Sequence, residues 1–486
     1  MKKEKNAENI VIIGAGQRAT LLLEILSKLK IEIVGIVDSS PEKINKDKYG
    51  YRIGNISDLG EYKGCSWCVT VGNRDSRDEL RNLAIKRYGL KQDREIHFLN
   101  LILDAYEYNN NVVECITKIP QVKNTDRRVF FDCRHGLILG GIERWSMSLC
   151  NELIEAEVNA AILSPNIRDD TKRFPYEHQV FYEISEDKQY MPDNIIAIIM
   201  AIIPYLPVDI ITADTDDVML AAYLIKRTYP NYVRIISVVH GSNEVFYYRY
   251  KQWIEIPDLF VAVSDRIYRD IKEMGVSDDK LLKMNHPFEC PKELNRSYHT
   301  DDKSTINIGY AGRLDGFENS QKRIDLILKL AKLIYKEGIN CIINVAGDGN
   351  AMKGVLEYIR ENGLEGRIVL IGELPREIIG EFWIKQDICL NLSDYEGYGI
   401  SRVEAMGYGA VPVVTDTAGA RDEIIDGDNG YVVPLRDYKM AFEKIRYLTE
   451  HREMLPIMGK KAHDAVYPKS HMSDHVKFWK NILMNV

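Results

Sequence analysis

The sequence predicts an α/β chain of three units, each built on a largely parallel sheet with flanking helices. Three observations carry this. At 486 residues the chain exceeds what one core accommodates, and about 150 residues per domain suggests roughly three domains. Short apolar runs end in glycine turns that open helix-forming runs, at 9–20, 306–327 and 387–409. Polar or charged stretches at 106–126 and 292–303 separate these patterns and read as linkers.

Composition narrows the class. A content of 45% hydrophobic and 28% charged residues is that of a soluble globular protein. A net charge of −8 and a pI near 5.8 argue against a general nucleic-acid binder, which needs clustered Lys and Arg. The start, MKKEKNAENIVIIGAG, runs into a strand without a cleavage-like site, so no signal peptide is expected. The apolar run Ile195 to Val208 is too short to span a bilayer and is broken by Pro204 and Pro207; it reads as a buried helix feeding a strand. The eight scattered cysteines suit reduced thiols in a cytoplasm. Cys65 and Cys68 have C-x-x-C spacing but no second ligand pair, and Cys68 opens an apolar strand. His471 and His475 are four apart without the glutamate of a zinc-protease helix, and read as a solvated helix face.

The first unit, residues 1–110, opens with Asn9-Ile-Val-Ile-Ile-Gly-Ala-Gly-Gln-Arg-Ala, a strand entering G-x-G-x-x-A. A second strand, Ile33 to Asp38, ends in an acid some twenty residues on. This is the dinucleotide-binding fingerprint with alanine at its third small position, and it places phosphate at Gly14 to Gly16 and a ribose hydroxyl on Asp38. The alternative is a packing or assembly module that uses glycine for the turn alone. No pair here makes a hydride- or acyl-transfer site, so the unit is read as accessory, with a nucleotide as its candidate ligand. It resembles the nucleotide-binding amino-terminal domain of bacterial sugar acyltransferases.

In the second unit, residues 127–300, the strand Arg128 to Cys133 leads through Gly140 and Gly141 into a helix. A strand from Val208 precedes Asp214-Thr-Asp216, a D-x-D form that could hold a metal; it sits where a helix needs capping, and Asp216 or Asp217 is read as that cap. The strand from Arg234 ends in His240 and Gly241, at a carboxyl edge where open α/β sheets bind ligands. The aromatics from Phe246 to Tyr250, with Trp253, read as helix packing or as a platform for sugar or lipid.

The third unit, residues 304–455, holds the stretch that organises the chain. Ile306 to Arg313 is a strand with an arginine just past its end, Asn344 to Asn350 carries G-D-G at Gly347 and Gly349, and Arg367 to Gly372 is another strand. Then comes Ser393 to Gly409, SDYEGYGISRVEAMGYG: a strand, a turn with Gly397 and Gly399, and a helix, with Glu396 and Glu404 on either side. Glycines let backbone amides approach a ligand, and a helix start favours an anion, so a diphosphate fits there. A carboxylate can accept two hydrogen bonds, which suits Glu404 to a ribose diol and Glu396 to sugar hydroxyls. Residues 456–486 form a helical tail.

The pattern E-G-x-G-I-S-x-x-E-A-M, with G-x-P-V-V at Gly409 to Val414, resembles the signature of the family 4 retaining glycosyltransferases of GT-B fold. The resemblance implies two Rossmann-like domains facing a cleft, here preceded by a small Rossmann-like domain. It implies that residues 127–300 are acceptor-side, that 304–455 bind the donor, and that 456–486 cross back onto the acceptor side. It gives Arg313 and Lys322 the donor diphosphate, although the loop from Leu314 to Ser320 is longer than usual and Arg323 rivals Lys322. Gly140 and Gly141 fall where a glycine pair approaches the donor, Gly347 and Gly349 lie near the nucleotide, backbone near Ile371 and Gly372 faces the base, and His240 sits near the donor sugar.

The expectation is therefore a retaining hexosyltransferase that needs no metal or cofactor. Its donor is a UDP- or GDP-sugar, and its acceptor a saccharide, lipid-linked or protein-linked alcohol in bacterial surface-polysaccharide or glycoconjugate synthesis. Arg313, Lys322 and the amides of Gly399 and Ile400 stabilise the departing diphosphate. No nucleophile is placed for a covalent intermediate, so attack comes from the front face. The chain is expected in the cytoplasm, meeting the inner membrane face peripherally if the acceptor is lipid-linked. The rivals are a GT-B phosphorylase, a non-catalytic nucleotide or saccharide binder, and an NAD-dependent oxidoreductase seated in the first unit. Donor base, sugar, linkage and oligomeric state are not encoded in any motif.

Overall fold

The computed structural model describes residues 9–29, 31–71, 74–107, 110–117, 127–133, 141–166, 177–184, 189–213, 216–318 and 320–484. The chain divides into two compact units, Met1–Ile235 and Ile236–Val486.

The first unit begins with strands β1 (Ile10–Ile13), β2 (Gly35–Asp38), β3 (Asp47–Lys48), β4 (Tyr51–Asn55) and β5 (Ser66–Val69), in the order β3-β4-β2-β1-β5. All pairings are parallel except β3 with β4. Every residue of β1 and β2 is buried, as continuous Val and Ile runs require of strands covered on both faces. A second parallel set follows, β6 (Arg128–Asp132), β7 (Ala160–Pro165), β8 (Gln179–Tyr182) and β9 (Val208–Thr212), ordered β9-β6-β7-β8. The apolar run from Ile195 is indeed a buried helix, Pro192–Ile202, that leads to β9.

Two sequence expectations for this unit are corrected. The stretch read as a linker from Tyr106 is helical at Asn110–Thr117, where Val112 and Ile116, four apart, are both buried and outweigh the asparagines; 118–126 lie outside the described residues. Asp216 and Asp217 stand inside the first turn of the helix Asp216–Thr228. There, Asp217 accepts from the Tyr190 amide at 2.6 Å and Asp216 from the Tyr190 hydroxyl, so both fasten the segment that enters the helix Pro192–Ile202. Asp214 lies outside the described residues.

In the second unit β10 (Val233–Val239), β11 (Leu259–Ala262) and β12 (Leu281–Lys283) run parallel, with β11 in the middle. A six-stranded parallel sheet follows: β13 (Ile306–Ala311), β14 (Cys341–Ala346), β15 (Ile368–Gly372), β16 (Ile388–Asn391), β17 (Val411–Thr415) and β18 (Tyr431–Val433). Its order, β15-β14-β13-β16-β17-β18, means the chain builds outward from β13, then returns to β13's other side and builds outward again. Loops that leave β13 and β16 at their carboxyl ends therefore diverge, and the crevice between them is where such sheets bind ligands.

The expected linker from Lys292 to Lys303 is a fastened strap. Arg296 has a side chain 1% exposed, stacks 4.0 Å from the Tyr298 ring and donates to the Tyr408 carbonyl at 3.0 Å. Asp387, fully buried, accepts from the His299 amide at 3.2 Å and the Asn307 amide at 2.9 Å, and it also pairs with the His299 ring at 2.8 Å and the Arg296 guanidinium at 3.7 Å. Its charges face inward because Asp387 would otherwise be a buried carboxylate without compensation.

Candidate functional site

The site grows from the carboxyl end of β16. Asn391 accepts from the Ser393 amide at 3.0 Å, and Thr415 donates to the Ser393 carbonyl at 2.6 Å, so the chain turns sharply before Glu396. Gln321 ties the turn to the segment after β13: its carbonyl accepts from the Asp394 amide at 2.9 Å and its side chain donates to the Tyr395 carbonyl at 3.1 Å. At Gly397 any Cβ would lie 1.9 Å from the His240 carbonyl oxygen, so only glycine allows the approach. Ser242 donates to the Glu396 carbonyl at 2.6 Å and completes that junction. Gly399, at φ 82° and ψ 60°, turns the chain left-handed into the helix Ile400–Gly407. No side chain caps this helix, which leaves its leading amides to a ligand.

Charge is arranged around the turn. Lys322 places its ammonium 2.7 Å from Glu396 Oε1, and Asn391 reaches the same oxygen at 3.5 Å. Burial alone would raise the Glu396 carboxyl; the Lys322 charge and hydrogen bond, with Ser393 and Asn391, outweigh it and hold the group below its ordinary value. Lys322 and its rival Arg323 are placed differently. Arg323 is left-handed (φ 48°, ψ 47°), and its buried guanidinium binds Asp325 at 2.9 and 3.0 Å and Asp394 at 3.2 Å, so it knits the helix start together. Arg313 follows β13 with its side chain 60% exposed and 3.1 Å from Asp315. Tyr310 lies between these groups: burial raises its hydroxyl pKa, the Glu396 charge adds to that and the Arg313 charge opposes it. Lys322, Glu396 and Arg313 thus share one electrostatic neighbourhood at the point where the strand order reverses.

Sequence reasoning named His240 but missed the other buried groups beneath the turn. His240 Nδ1 lies 3.0 Å from His286 Nε2, with the rings parallel to within 5°. Burial, then the neighbouring imidazoles of His286 and His475, holds His240 well below its ordinary pKa. His475, read as solvated, is 2% exposed: it sits on the inward face of the helix Met472–Met484 with Trp479, which is fully buried. The signal was present in the large apolar residues Trp479, Ile482 and Leu483 at helical spacing from it. Tyr398, inside the turn, donates to Glu423 at 3.1 Å, and Lys469 meets the other oxygen of Glu423 at 2.7 Å. Arg402 donates to the carbonyls of Tyr398 and Gly419 at 2.6 and 2.7 Å.

The remaining predicted residues are placed as follows. Ile400 and Glu404, both half-buried, lie on the helix after the turn. Gly347 and Gly349 follow β14 and pack on the backbone of Gly312 and Leu314. Ile371 is 40% exposed on β15. Gly141 opens the helix Gly141–Glu155 of the first unit with open space where its side chain would be, while Gly140 lies outside the described residues. In the accessory turn Gly14 donates to the Val37 carbonyl at 2.8 Å and Gly16 starts the helix Gln17–Lys28. Asp38 there is buried and accepts from the amides of Ala15 (2.5 Å) and Ser40 (2.7 Å). Lys48 closes over the Ala15 and Gly16 carbonyls at 2.8 and 3.3 Å. Tyr250 and Trp253 of the aromatic cluster are buried, and Phe246 fills the space above Gly241. All eight cysteines are free, and burial pushes Cys68 up to about 12. Among the described residues there is no cluster of three or more potential metal ligands, and no helix is long and apolar enough to cross a membrane.

Comparison with known proteins agrees with this geometry. Residues 139–282 match the family model described as Glycosyltransferase Family 4, residues 292–465 match Glycosyl transferases group 1, and residues 6–96 match C2185-like, N-terminal. N-acetyl-alpha-D-glucosaminyl L-malate synthase of Bacillus anthracis is 22% identical over 282 residues, 55% of this chain and 72% of that protein. Poly(ribitol-phosphate) alpha-N-acetylglucosaminyltransferase of Staphylococcus aureus is 27% identical over 164 residues, 33% of this chain and 32% of that protein. Among solved structures, Anabaena HepE in complex with UDP and glucose superposes with a TM-score of 0.59 at 13% identity, covering 74% of this chain and all of that one. S. aureus TarM in complex with fondaparinux, alpha-GlcNAc-glycerol and UDP superposes with a TM-score of 0.52 at 15% identity, covering 98% of this chain and all of that one. With a parallel sheet that reverses order at β13 and β16, a lysine–glutamate pair on the glycine turn there, and glycosyltransferase matches over 139–282 and 292–465, the chain belongs to the GT-B glycosyltransferases of family 4.

Proposed function

We propose that the protein transfers a hexosyl group, with retention at the anomeric carbon and without a metal ion, from a UDP-sugar to an alcohol of a bacterial surface glycan or its lipid-linked precursor. The observation that carries this is the Lys322–Glu396 pair at 2.7 Å beside the uncapped helix start at Gly399 and Ile400, at the sheet's switch point. The helix amides and Lys322 neutralise the departing diphosphate, and Arg313, exposed and paired with Asp315 at 3.1 Å, swings onto it. Glu396, kept ionised by Lys322, accepts from hydroxyls of the donor sugar, while Glu404 holds the ribose diol. Stabilising charge on the leaving group is the term that most lowers such a barrier. The acceptor attacks from the face the diphosphate leaves, and a phosphate oxygen takes its proton.

UDP is favoured over GDP because structural neighbours hold UDP and UDP-glucose, and an N-acetylglucosaminyl donor is favoured by two relatives that carry that sugar in their names. A protein acting on a lipid-linked acceptor would work at the inner face of the membrane. The accessory turn takes a nucleotide only if Asp38 releases the Ala15 amide.

The deciding experiment incubates the full chain with UDP- or GDP-linked hexoses and N-acetylhexosamines, with and without saccharide acceptors or free phosphate, in the presence of a chelator. The expected result is acceptor-dependent UDP release with an α-linked product by NMR, lost in Glu396→Ala. Formation of sugar 1-phosphate instead would identify a phosphorylase, and ligand binding without turnover a non-catalytic binder.

A further inference from the structure

Three imidazoles and an indole from distant parts of the second unit form one buried train under the glycine turn. His240 follows β10, His286 follows β12, and His475 and Trp479 are one turn apart on the helix Met472–Met484. An indole N–H can only donate, so the 3.2 Å contact from Trp479 Nε1 makes His475 Nε2 the acceptor and puts the proton of a neutral His475 on Nδ1. The Asn285 backbone also interacts with His475 and favours its protonated form, against the larger effect of burial. Asn285 is also pinned through its side chain to the Val263 carbonyl at 3.1 Å, so the peptide that presents His286 is held from two sides. His286 Nε2 then meets His240 Nδ1 at 3.0 Å, with ring centroids 4.9 Å apart.

Between those two nitrogens there is room for one hydrogen. Two protons would face each other at contact distance, and two lone pairs would leave both buried rings short of a partner there. The tautomer of His240 is therefore tied to that of His286. Tyr398 also faces the train, 6.4 Å from His286 between ring centroids. Burial keeps the rings neutral, with His286 held down to about 4 and His475 to about 3.

We propose that His286 is a positioning residue that fixes His240 in one neutral tautomer and orientation, and that His475 and Trp479 of the carboxy-terminal helix hold His286 in place. This rests on the reading that His240 meets the donor sugar. Its chemical consequence is that Nε2 of His240 presents one fixed role, donor or acceptor, to a sugar oxygen, where an unsupported imidazole would exchange between the two.

The test reads ring nitrogen shifts of the full chain labelled with 15N-histidine at pH 7.5, without donor or acceptor, alongside transfer assays. His240 is expected to show a single neutral tautomer in the unmodified protein. It should show averaged shifts in His286→Leu, with about a tenfold loss of kcat/KM, and should return to one tautomer with most of the activity in His286→Gln, whose side-chain amide reaches the same place. Trp479→Phe should release the His475 tautomer and cost two- to threefold in transfer. In a His240→Ala background His286→Leu should cost no further activity. Unmoved His240 shifts in His286→Leu, or an equal loss in the His240→Ala background, overturn the proposal. Because the shifts are read without substrate, absence of glycosyl transfer would count against the proposed function and leave the tautomer result standing.

Discussion

Two glycine turns in this chain follow the same local recipe, a buried parallel strand, a G-x-G turn and a helix without a side-chain cap, yet the structure uses them in opposite ways. At Gly14 to Gly16 the acid of the pattern, Asp38, is consumed by the chain itself: two amides and, at 3.4 Å, Lys43 saturate its carboxylate, and Lys48 clamps the turn's carbonyls. At Glu396 to Gly399 the acid leans on a flexible ammonium, and the turn is held from beneath by Tyr398, Arg402 and the His240 backbone. The first turn has its polar groups satisfied within the chain, and the second is braced from behind with Lys322 and Glu396 paired at its edge. The motif specifies the backbone, and the neighbours decide whether it binds.

The comparison breaks first at Lys322. Lys322→Met should lower kcat by roughly 10²–10³-fold, the usual cost of removing a preorganised charge from a developing anion. Steady-state release of UDP measures it, and a variant within threefold of the parent would remove the second turn from the chemistry. Gly397→Ala should come next. Its methyl would meet the His240 carbonyl at 1.9 Å, so the turn must move, and a misplacement of that size costs about 100-fold in rate together with a lower Tm.

The bracing makes a third prediction, in pH. His240, His286 and His475 all titrate below the ordinary value of 6.5, the last two at about 4 and about 3. Between 6.5 and those values the unfolded chain binds more protons than the folded one, so stability falls as acid is added. The slope is at most about 1.4 kcal/mol per pH unit for each ring. Urea unfolding at pH 7 and pH 5 should differ by up to about 2 kcal/mol per ring, and His286→Gln should remove one ring's share. A stability flat from pH 7 to 5 would mean that the train is wet.

The smallest effect on catalysis belongs to the first turn. Asp38→Ala should destabilise the protein by about 2 kcal/mol, through loss of hydrogen bonds to a charged acceptor, and leave transfer unchanged. Because Asp38 is held below its ordinary value, despite the opposing pull of burial, by the amides of Ala15 and Ser40 and by Lys43, its contribution is present above about pH 4 and lost below it. Calorimetric titration of UDP into Lys322→Met sharpens the contrast: heat that survives there but disappears in Asp38→Ala would give the accessory turn a ligand after all.

Residue order alone determined the alternation of strands and helices and the glycine turns. It also offered Glu396 as a candidate, because strand runs and turn chemistry are local features that spacing preserves, while Arg313 and Lys322 came from the resemblance to the family 4 transferases. Tertiary structure decided the rest. That Lys322 reaches Glu396 while Arg323 is taken up by two aspartates follows from one left-handed residue, and the strap at Lys292 to Lys303 became a fastened segment because Asp387, some 88 positions beyond His299, is buried beneath it. His475 looked like a surface residue until the fold set it, with His286, near His240. Partners 46 and more positions apart have no spacing rule, since their distance is set by how sheets and helices stack and not by the pitch of any one element.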